Sequence, residues 1–145
     1  MPAPHHGGMH FSHRFLPTAR AALLALACTL SLAHAADTTA ALQMQRWSDA
    51  AGAPASAERG RAFFTSRHGG EWSCASCHGN PPTTAMRHAS TGKTIAPFAP
   101  MFNPERFTDP AKVEKWFKRN CQDVLERPCT AQEKGDFIAY LLSVK

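Results

Sequence analysis

Apolar residues recur at helical spacing over residues 110–120 and predict a helix there. Asp109 suits the N-cap of this helix, and Pro110 suits its first helical position. The face at i, i+3, i+4 and i+7 consists of Val113, Trp116, Phe117 and Asn120. The opposite side carries Lys112, Lys115, Lys118 and Arg119. Asn120 is the anomaly of this predicted buried face, because an amide buried without hydrogen-bond partners costs about 1–3 kcal/mol.

The pattern predicts three further helices. The first covers about residues 36–49, and the second covers about residues 56–66 with Ser56 as its N-cap. The last helix begins at Thr130, which forms a capping box with Glu133. Its apolar residues are Phe137, Ile138, Tyr140, Leu141 and Leu142. The chain is therefore predicted to be all-α.

A glycine inside the second predicted helix suggests a contact between helices. Gly60 lies four residues before Phe64 on one face of this helix. An interior glycine costs a helix about 1 kcal/mol relative to alanine. We therefore expect another helix to approach closely at Gly60.

Residues 79–106 show no periodic pattern, and five prolines and Gly92 interrupt them. A structureless loop of this length is unusual in a small domain. A non-protein apolar group would explain it, because the loop could pack on that group. The loop residues available for such packing are Ile95, Phe98, Met101 and Phe102.

The first 35 residues predict a secretory signal peptide. Arg14 and Arg20 precede an apolar run at residues 21–33, and Ala-His-Ala at residues 33–35 is a small-x-small cleavage site. The apolar run is too short to span a bilayer. We expect cleavage after Ala35 and a single exported domain of residues 36–145 in a bacterial periplasm.

Charge and hydropathy narrow the classes of partner. The chain carries a formal net charge of +5, and loss of the signal peptide leaves 14 basic residues against 11 acidic ones. No basic tract with interleaved aromatic residues predicts nucleic-acid binding. No further apolar run reaches membrane length, so we expect no membrane span after cleavage. The sequence is compatible with a start at Met1 or at Met9.

Cys74-Ala75-Ser76-Cys77-His78 reads C-x-x-C-H, the attachment signal for c-type haem. Two thiols at this spacing can form thioethers with the two vinyl groups of one porphyrin, and the next residue can ligate the iron. We therefore predict one covalent haem c on Cys74 and Cys77, with His78 as the proximal ligand. A thioredoxin-like pair lacks a βαβ pattern, and a simple disulfide leaves His78 unexplained.

Two of the five cysteines have no role yet, because Cys28 is lost with the signal peptide and the haem uses Cys74 and Cys77. Cys121 and Cys129 can pair as a disulfide in an oxidising compartment. A zinc site made of all four cysteines is a weaker interpretation, because C-x-x-C with C-x₇-C is poor zinc spacing.

Three residues compete for the other axial position of the iron. Met101 lies in the loop and is the ordinary choice, since a thioether favours ferrous iron. His88 would give a bis-histidine centre, and Asn120 would offer a weak amide oxygen. Met86 is too near His78 in the sequence to cross to the other face. The pattern alone leaves these alternatives open.

Several motifs resemble the sphaeroides-type haem proteins, an unusual branch of the class I cytochromes c. They are AGAP at 51–54, AERGRA at 57–62, TGKTIAP at 91–97, PERFTD at 104–109, VEKW at 113–116 and RNC at 119–121. The resemblance implies a class I cytochrome c fold, with about four helices and a long loop around one haem. It also implies that the N- and C-terminal helices cross at Gly60, Phe64 and Tyr140.

The same resemblance implies site residues and a function. The family has a distal asparagine just before a disulfide, which corresponds here to Asn120 and to Cys121–Cys129. We expect one-electron transfer, with O₂ or NO binding at ferrous iron once Asn120 is released, rather than a dedicated enzyme. The redox partner implied is another cytochrome, such as a dihaem cytochrome c or a membrane b-type cytochrome. The alternatives are a plain electron carrier with closed His78/Met101 ligation and a haem-based gas sensor or scavenger.

Overall fold

The structure is a computed structural model, and it describes residues 1–2, 38–88 and 90–145. Apart from residues 1–2, the signal peptide predicted for residues 1–35 lies outside the described residues. No helix in the described part of the chain is both long and apolar enough to cross a bilayer.

Helices make up most of the described domain, which confirms the predicted all-α class. The helices are α1 (Ala40–Ala51), α2 (Ala57–Thr65), α3 (Cys74–His78), α4 (Pro110–Leu125) and α5 (Ala131–Ser143). The one-turn helix α3 was not expected as a separate element. Two short strands, β1 (Met86–Arg87) and β2 (Thr94–Ile95), pair antiparallel within the loop that was expected to have no structure.

The predicted helix starts are confirmed by their capping hydrogen bonds. The Ser56 hydroxyl accepts from the Arg59 N–H at the start of α2, and the Asp109 carboxylate accepts from the Lys112 N–H at the start of α4. At the start of α5, the side chains of Thr130 and Glu133 each accept from the backbone N–H of the other. Such caps stabilise a helix end by about 1 kcal/mol each, so local sequence defines where these helices begin.

Helices α2 and α5 cross at Gly60, as predicted. A Cβ atom at Gly60 would overlap the backbone carbonyl of Asp136 and would lie 2.9 Å from Cβ of Tyr140. The Asp136 carboxylate accepts from Arg59 Nε at 2.7 Å and from the Ser56 N–H at 2.6 Å. A charged group that is 4 % exposed is therefore well paired at the crossing.

The core forms where α1 and α2 pack against α5, and α4 adds buried side chains to it. Its buried members include Phe64, Val113, Phe117, Phe137, Ile138, Tyr140 and Leu141. Lys134 of α5 is also buried, with its Nζ 3.0 Å from a Glu114 carboxylate oxygen and 3.9 Å from the Trp47 ring centroid. This ammonium therefore links α5 to both α4 and α1.

Helix α4 departs from the predicted burial in two ways. Val113 and Phe117 are buried as expected, but Trp116 is 47 % exposed. The helix also continues to Leu125, so Asn120 lies within it rather than near its end. The predicted apolar face is correct only for the residues that contact α5.

We predict that Gly60→Ala destabilises the protein by about 1–3 kcal/mol, because the added methyl group must push α5 away. Gly135→Ala is a matched control within α5. A Cβ at Gly135 would meet the Cβ atoms of Trp47 at 3.5 Å and Ala55 at 3.6 Å, which are ordinary contacts. Denaturant unfolding of both variants measures the difference. Equal midpoints would contradict the close crossing at Gly60.

Candidate functional site

A single large cavity of about 930 Å³ brings together the predicted site residues from separate segments. Cys74, Cys77 and His78 line it from α3, and Asn120 lines it from α4. Aromatic side chains form much of its wall, namely Phe63, Trp72, Phe98, Phe107, Trp116, Phe117 and Phe137. Its volume lies in the upper range of cofactor sites in proteins, which are mainly apolar.

The helical turn α3 arranges the C-x-x-C-H residues. Ser73 is its N-cap and forms a capping box with Ser76, with each side chain accepting from the backbone N–H of the other. In this turn Cys74 and Cys77 stand three residues apart, and side chains at that spacing share one face of a helix. Both thiols are free and line the cavity. The local sequence therefore presents two thiols and one imidazole to the same space.

The imidazole of His78 is suited to bind a metal ion. Burial lowers its pKa to about 4, and the charges of Arg106 and His88 contribute to the shift. The ring is therefore neutral near pH 7, which is the form that ligates metals. Nδ1 is buried and has no hydrogen-bond partner among the described residues. The ring stacks on Phe98, with 3.9 Å between the centroids.

The two cysteines of the motif do not resemble a redox-active pair. Burial raises the pKa of the Cys74 thiol to about 12, so its thiolate is scarce near neutral pH. Reactive cysteines instead have lowered pKa values. Cys121 is joined to Cys129 by a disulfide, so these two thiols are not available for a four-cysteine zinc site.

Asn120 is half-buried and lines the cavity between Trp116 and Val124 on α4. Its side chain makes no hydrogen bond to any described residue. The following residue carries the disulfide, whose other half, Cys129, comes just before α5. The amide is therefore not occupied by helix capping or by the disulfide loop, and it remains available to a group in the cavity.

The other two axial candidates differ in position. Met101 is 59 % exposed and does not line the cavity. His88 does line it, and its Nδ1 accepts hydrogen bonds from the backbone N–H groups of Ser90 and Thr91. Of the loop residues expected to pack on an apolar group, Ile95 and Phe98 line the cavity, whereas Met101 and Phe102 are exposed.

Two cavity residues were missed or misplaced by sequence reasoning. Arg119 was expected to point away, yet it lines the cavity, with its guanidinium carbon 5.6 Å from the Trp116 ring centroid. Arg106 was noticed only as part of a resembling motif. Its position after a proline-rich loop offered no periodic signal that could have placed it in the site.

Comparison with known proteins decides the family. The domain of unknown function DUF1924 matches residues 50–141. The cytochrome c-type protein SHP of Cereibacter sphaeroides is 50% identical over 113 residues, which cover 75% of this chain and 87% of SHP. The chain belongs to the sphaeroides haem protein family. It is therefore a cytochrome c, and the resemblance seen in its motifs is confirmed.

Solved structures support the same fold for this cytochrome. Oxidised SHP, described as an oxygen-binding cytochrome c, superposes with a TM-score of 0.68 and covers 72% of this chain and 96% of its own. Oxidised cytochrome c'' of Methylophilus methylotrophus superposes with a TM-score of 0.64 and has 37% sequence identity in that superposition, which covers 73% of this chain and 94% of cytochrome c''. In a comparison of sequences alone, cytochrome c'' is 46% identical over 88 residues. These residues cover 58% of this chain and 61% of cytochrome c''.

A haem fits the residues of this cavity. The thiols of Cys74 and Cys77 and the unpartnered imidazole of His78 are the donors that haem attachment and ligation require. The aromatic wall suits a flat, largely apolar ring. These features agree with the family and are independent of it.

We predict that replacing both Cys121 and Cys129 by serine destabilises the domain by about 2–3 kcal/mol, since the disulfide closes a short loop. Denaturant unfolding of the holoprotein measures this loss, with wild-type protein in the same buffer as reference. An unchanged unfolding midpoint would show that α4 and α5 are held together without the covalent link.

Proposed function

We propose that this protein is a periplasmic monohaem cytochrome c that carries single electrons and binds a diatomic ligand at its reduced iron. One observation carries the proposal: His78 and Asn120, from different helices, line the same cavity as the two thiols of C-x-x-C-H. A site of this kind has one strong nitrogen donor and one weak oxygen donor. The strong donor would hold the iron, and the weak donor could dissociate from it.

Each residue of the site would have a distinct role. Cys74 and Cys77 would form thioethers to the haem vinyl groups and so attach the cofactor covalently. His78 would bind the iron through its neutral imidazole. The haem supplies one-electron chemistry and an iron that can bind O₂ or NO. The surrounding aromatic side chains would lower the local dielectric constant, which strengthens electrostatic effects on the iron.

Asn120 would act as the distal ligand of the oxidised state only. An amide oxygen is a hard donor, which suits ferric iron better than the softer ferrous iron. No hydrogen bond to a described residue orients the Asn120 side chain, so little besides the iron would hold it in place. The oxygen-binding description of SHP supports this assignment. A solution structure of cytochrome c'' supports it too, because that structure is described as giving insight into haem-ligand detachment. This relative has 36% sequence identity and a TM-score of 0.64.

The competing assignments have less support. Closed His78/Met101 ligation would require Met101 to leave the surface, where it is 59 % exposed, and enter the cavity. His88 lines the cavity but already uses Nδ1 for a backbone turn, so only Nε2 is available. A gas sensor or scavenger would use the same open site, and its natural partner distinguishes it from an electron carrier.

Export and partner choice complete the proposal. A signal peptide of residues 1–35 would deliver the domain of residues 36–145 to the periplasm, where haem attachment and disulfide formation both occur. The redox partner would be another cytochrome, such as a dihaem cytochrome c or a membrane b-type cytochrome. Lys115 and Lys118 on α4 are exposed and form no ion pair with another described residue, so they suit an acidic partner.

We predict that Asn120→Ala changes the ferric absorption spectrum towards a high-spin or water-ligated form, because the sixth ligand is lost. The reduced wild-type protein should bind CO rapidly, since its distal position is already open. Absorption spectra of both oxidation states, with and without CO, measure this.

Two variants serve as controls for the alternative ligands. Met101→Leu and His88→Ala should each leave the ferric spectrum unchanged. A Met–iron charge-transfer band in the ferric protein, together with slow CO binding in the ferrous protein, would contradict the assignment of Asn120. Loss of either feature in Met101→Leu would identify Met101 as the ligand.

A further inference from the structure

Two cations of the cavity wall, Lys93 and Arg106, have no acidic partner among the described residues, and of these two only Arg106 is half-buried. Four cationic side chains other than histidine line the cavity, namely Lys93, Arg106, Lys112 and Arg119. Lys93, Lys112 and Arg119 are exposed, and Arg106 is half-buried. Lys112 lies 3.5 Å from Asp109, and Arg119 lies 3.8 Å from Asp123. Among the described residues, no carboxylate lies within ion-pair distance of Arg106.

Arg106 is held in place by backbone oxygens. Its Nε donates to the Pro97 carbonyl at 3.0 Å, and its Nη2 donates to the Ala96 carbonyl at 2.8 Å. The guanidinium carbon lies 5.0 Å from the centroid of the Phe98 ring, and Phe98 stacks on His78. Nη1 makes no hydrogen bond to a described residue. The group is thus preorganised, and one side of its donor fork remains free.

A half-buried guanidinium without an anion is costly. Backbone carbonyls satisfy its donors but do not neutralise its charge, and desolvation penalises an uncompensated ion. Arginine is also the side chain best suited to bind a carboxylate through two parallel N–H donors. A carboxylate next to Arg106 would therefore be stabilising, and the described part of the chain does not supply one.

We propose that Arg106 binds a carboxylate of the haem and, by neutralising it, raises the reduction potential of the iron. This inference rests on the proposed function, since it requires a haem in the cavity. The direction of this change in reduction potential follows from the charges. An unpaired carboxylate beside the ring favours the more positive ferric state, and a paired one does not. Arg106 is therefore a positioning and tuning residue, which acts on the iron only through the ring.

The test is the midpoint potential of purified holoprotein variants. Arg106→Gln should lower the potential and reduce the equilibrium constant for reduction by roughly tenfold, the size expected for one charge pair in a partly buried site. Arg87→Gln is the matched control. Arg87 is exposed, lies outside the cavity and, like Arg106, donates to a backbone carbonyl, that of Gly92 at 3.1 Å. Equal potentials for the two glutamine variants would overturn the proposal.

Arg106→Lys separates charge from structure. Lysine keeps the positive charge but cannot form the same fork to Pro97 and Ala96. Its potential should stay close to that of the wild type, and the resonance Raman band of propionate bending should shift. A potential as low as that of Arg106→Gln would assign Arg106 a purely structural role. The Raman measurement also tests the proposal if Arg106→Gln does not fold.

Two further comparisons are needed. One identifies the source of the carboxylate, and the other distinguishes a failure of this inference from a failure of the proposed function. Potentials are measured in chloride and in acetate at equal ionic strength. A difference between wild type and Arg106→Gln that appears only in acetate would mean that Arg106 binds a solution anion, which would overturn the assignment to haem. A wild-type protein without covalent haem would instead refute the proposed function. A haem-loaded wild type that matches Arg106→Gln would refute only this inference.

Discussion

The filling of its large cavity is the constraint on which this small domain depends. About 930 Å³ is enclosed by segments that are far apart in the sequence, and aromatic side chains form much of the wall. The free-energy cost of an unfilled apolar space rises with its volume, and protein side chains do not fill this one. The haem of this cytochrome family meets that requirement. The long loop between β1 and α4 is thus explained by what it encloses rather than by its own secondary structure.

The framework that supports the cavity is held together by contacts between α2, α4 and α5. Helices α2 and α5 meet at Gly60, and the Arg59–Asp136 pair joins them at 2.7 Å. Lys134 then connects α5 to α4 through Glu114. The helix that carries Asn120 is therefore attached to the most closely packed part of the protein, although Asn120 itself faces the least closely packed part.

The two sides of the proposed iron site differ in how firmly the chain holds them. His78 ends a capped helical turn, with Phe98 against its ring and Arg106 against Phe98. Asn120 stands on a helix fixed by the following disulfide, yet its own side chain forms no hydrogen bond to a described residue. A firm ligand opposite a loosely held one is what reversible opening of a haem iron requires. This physical difference supports the proposal that the protein binds a ligand at its iron.

Local sequence was sufficient for the helix caps and for the glycine that permits a close helix crossing. It correctly predicted the caps at Ser56, Asp109 and Thr130 and the crossing at Gly60, because short-range hydrogen bonds and glycine geometry act within one turn. It could not decide among Met101, His88 and Asn120 without a family resemblance. It also wrongly predicted that Trp116 is buried and that Arg119 points away from the site. Those positions depend on how a loop without periodicity folds back over α3 and α4, and only contacts between distant segments decide that.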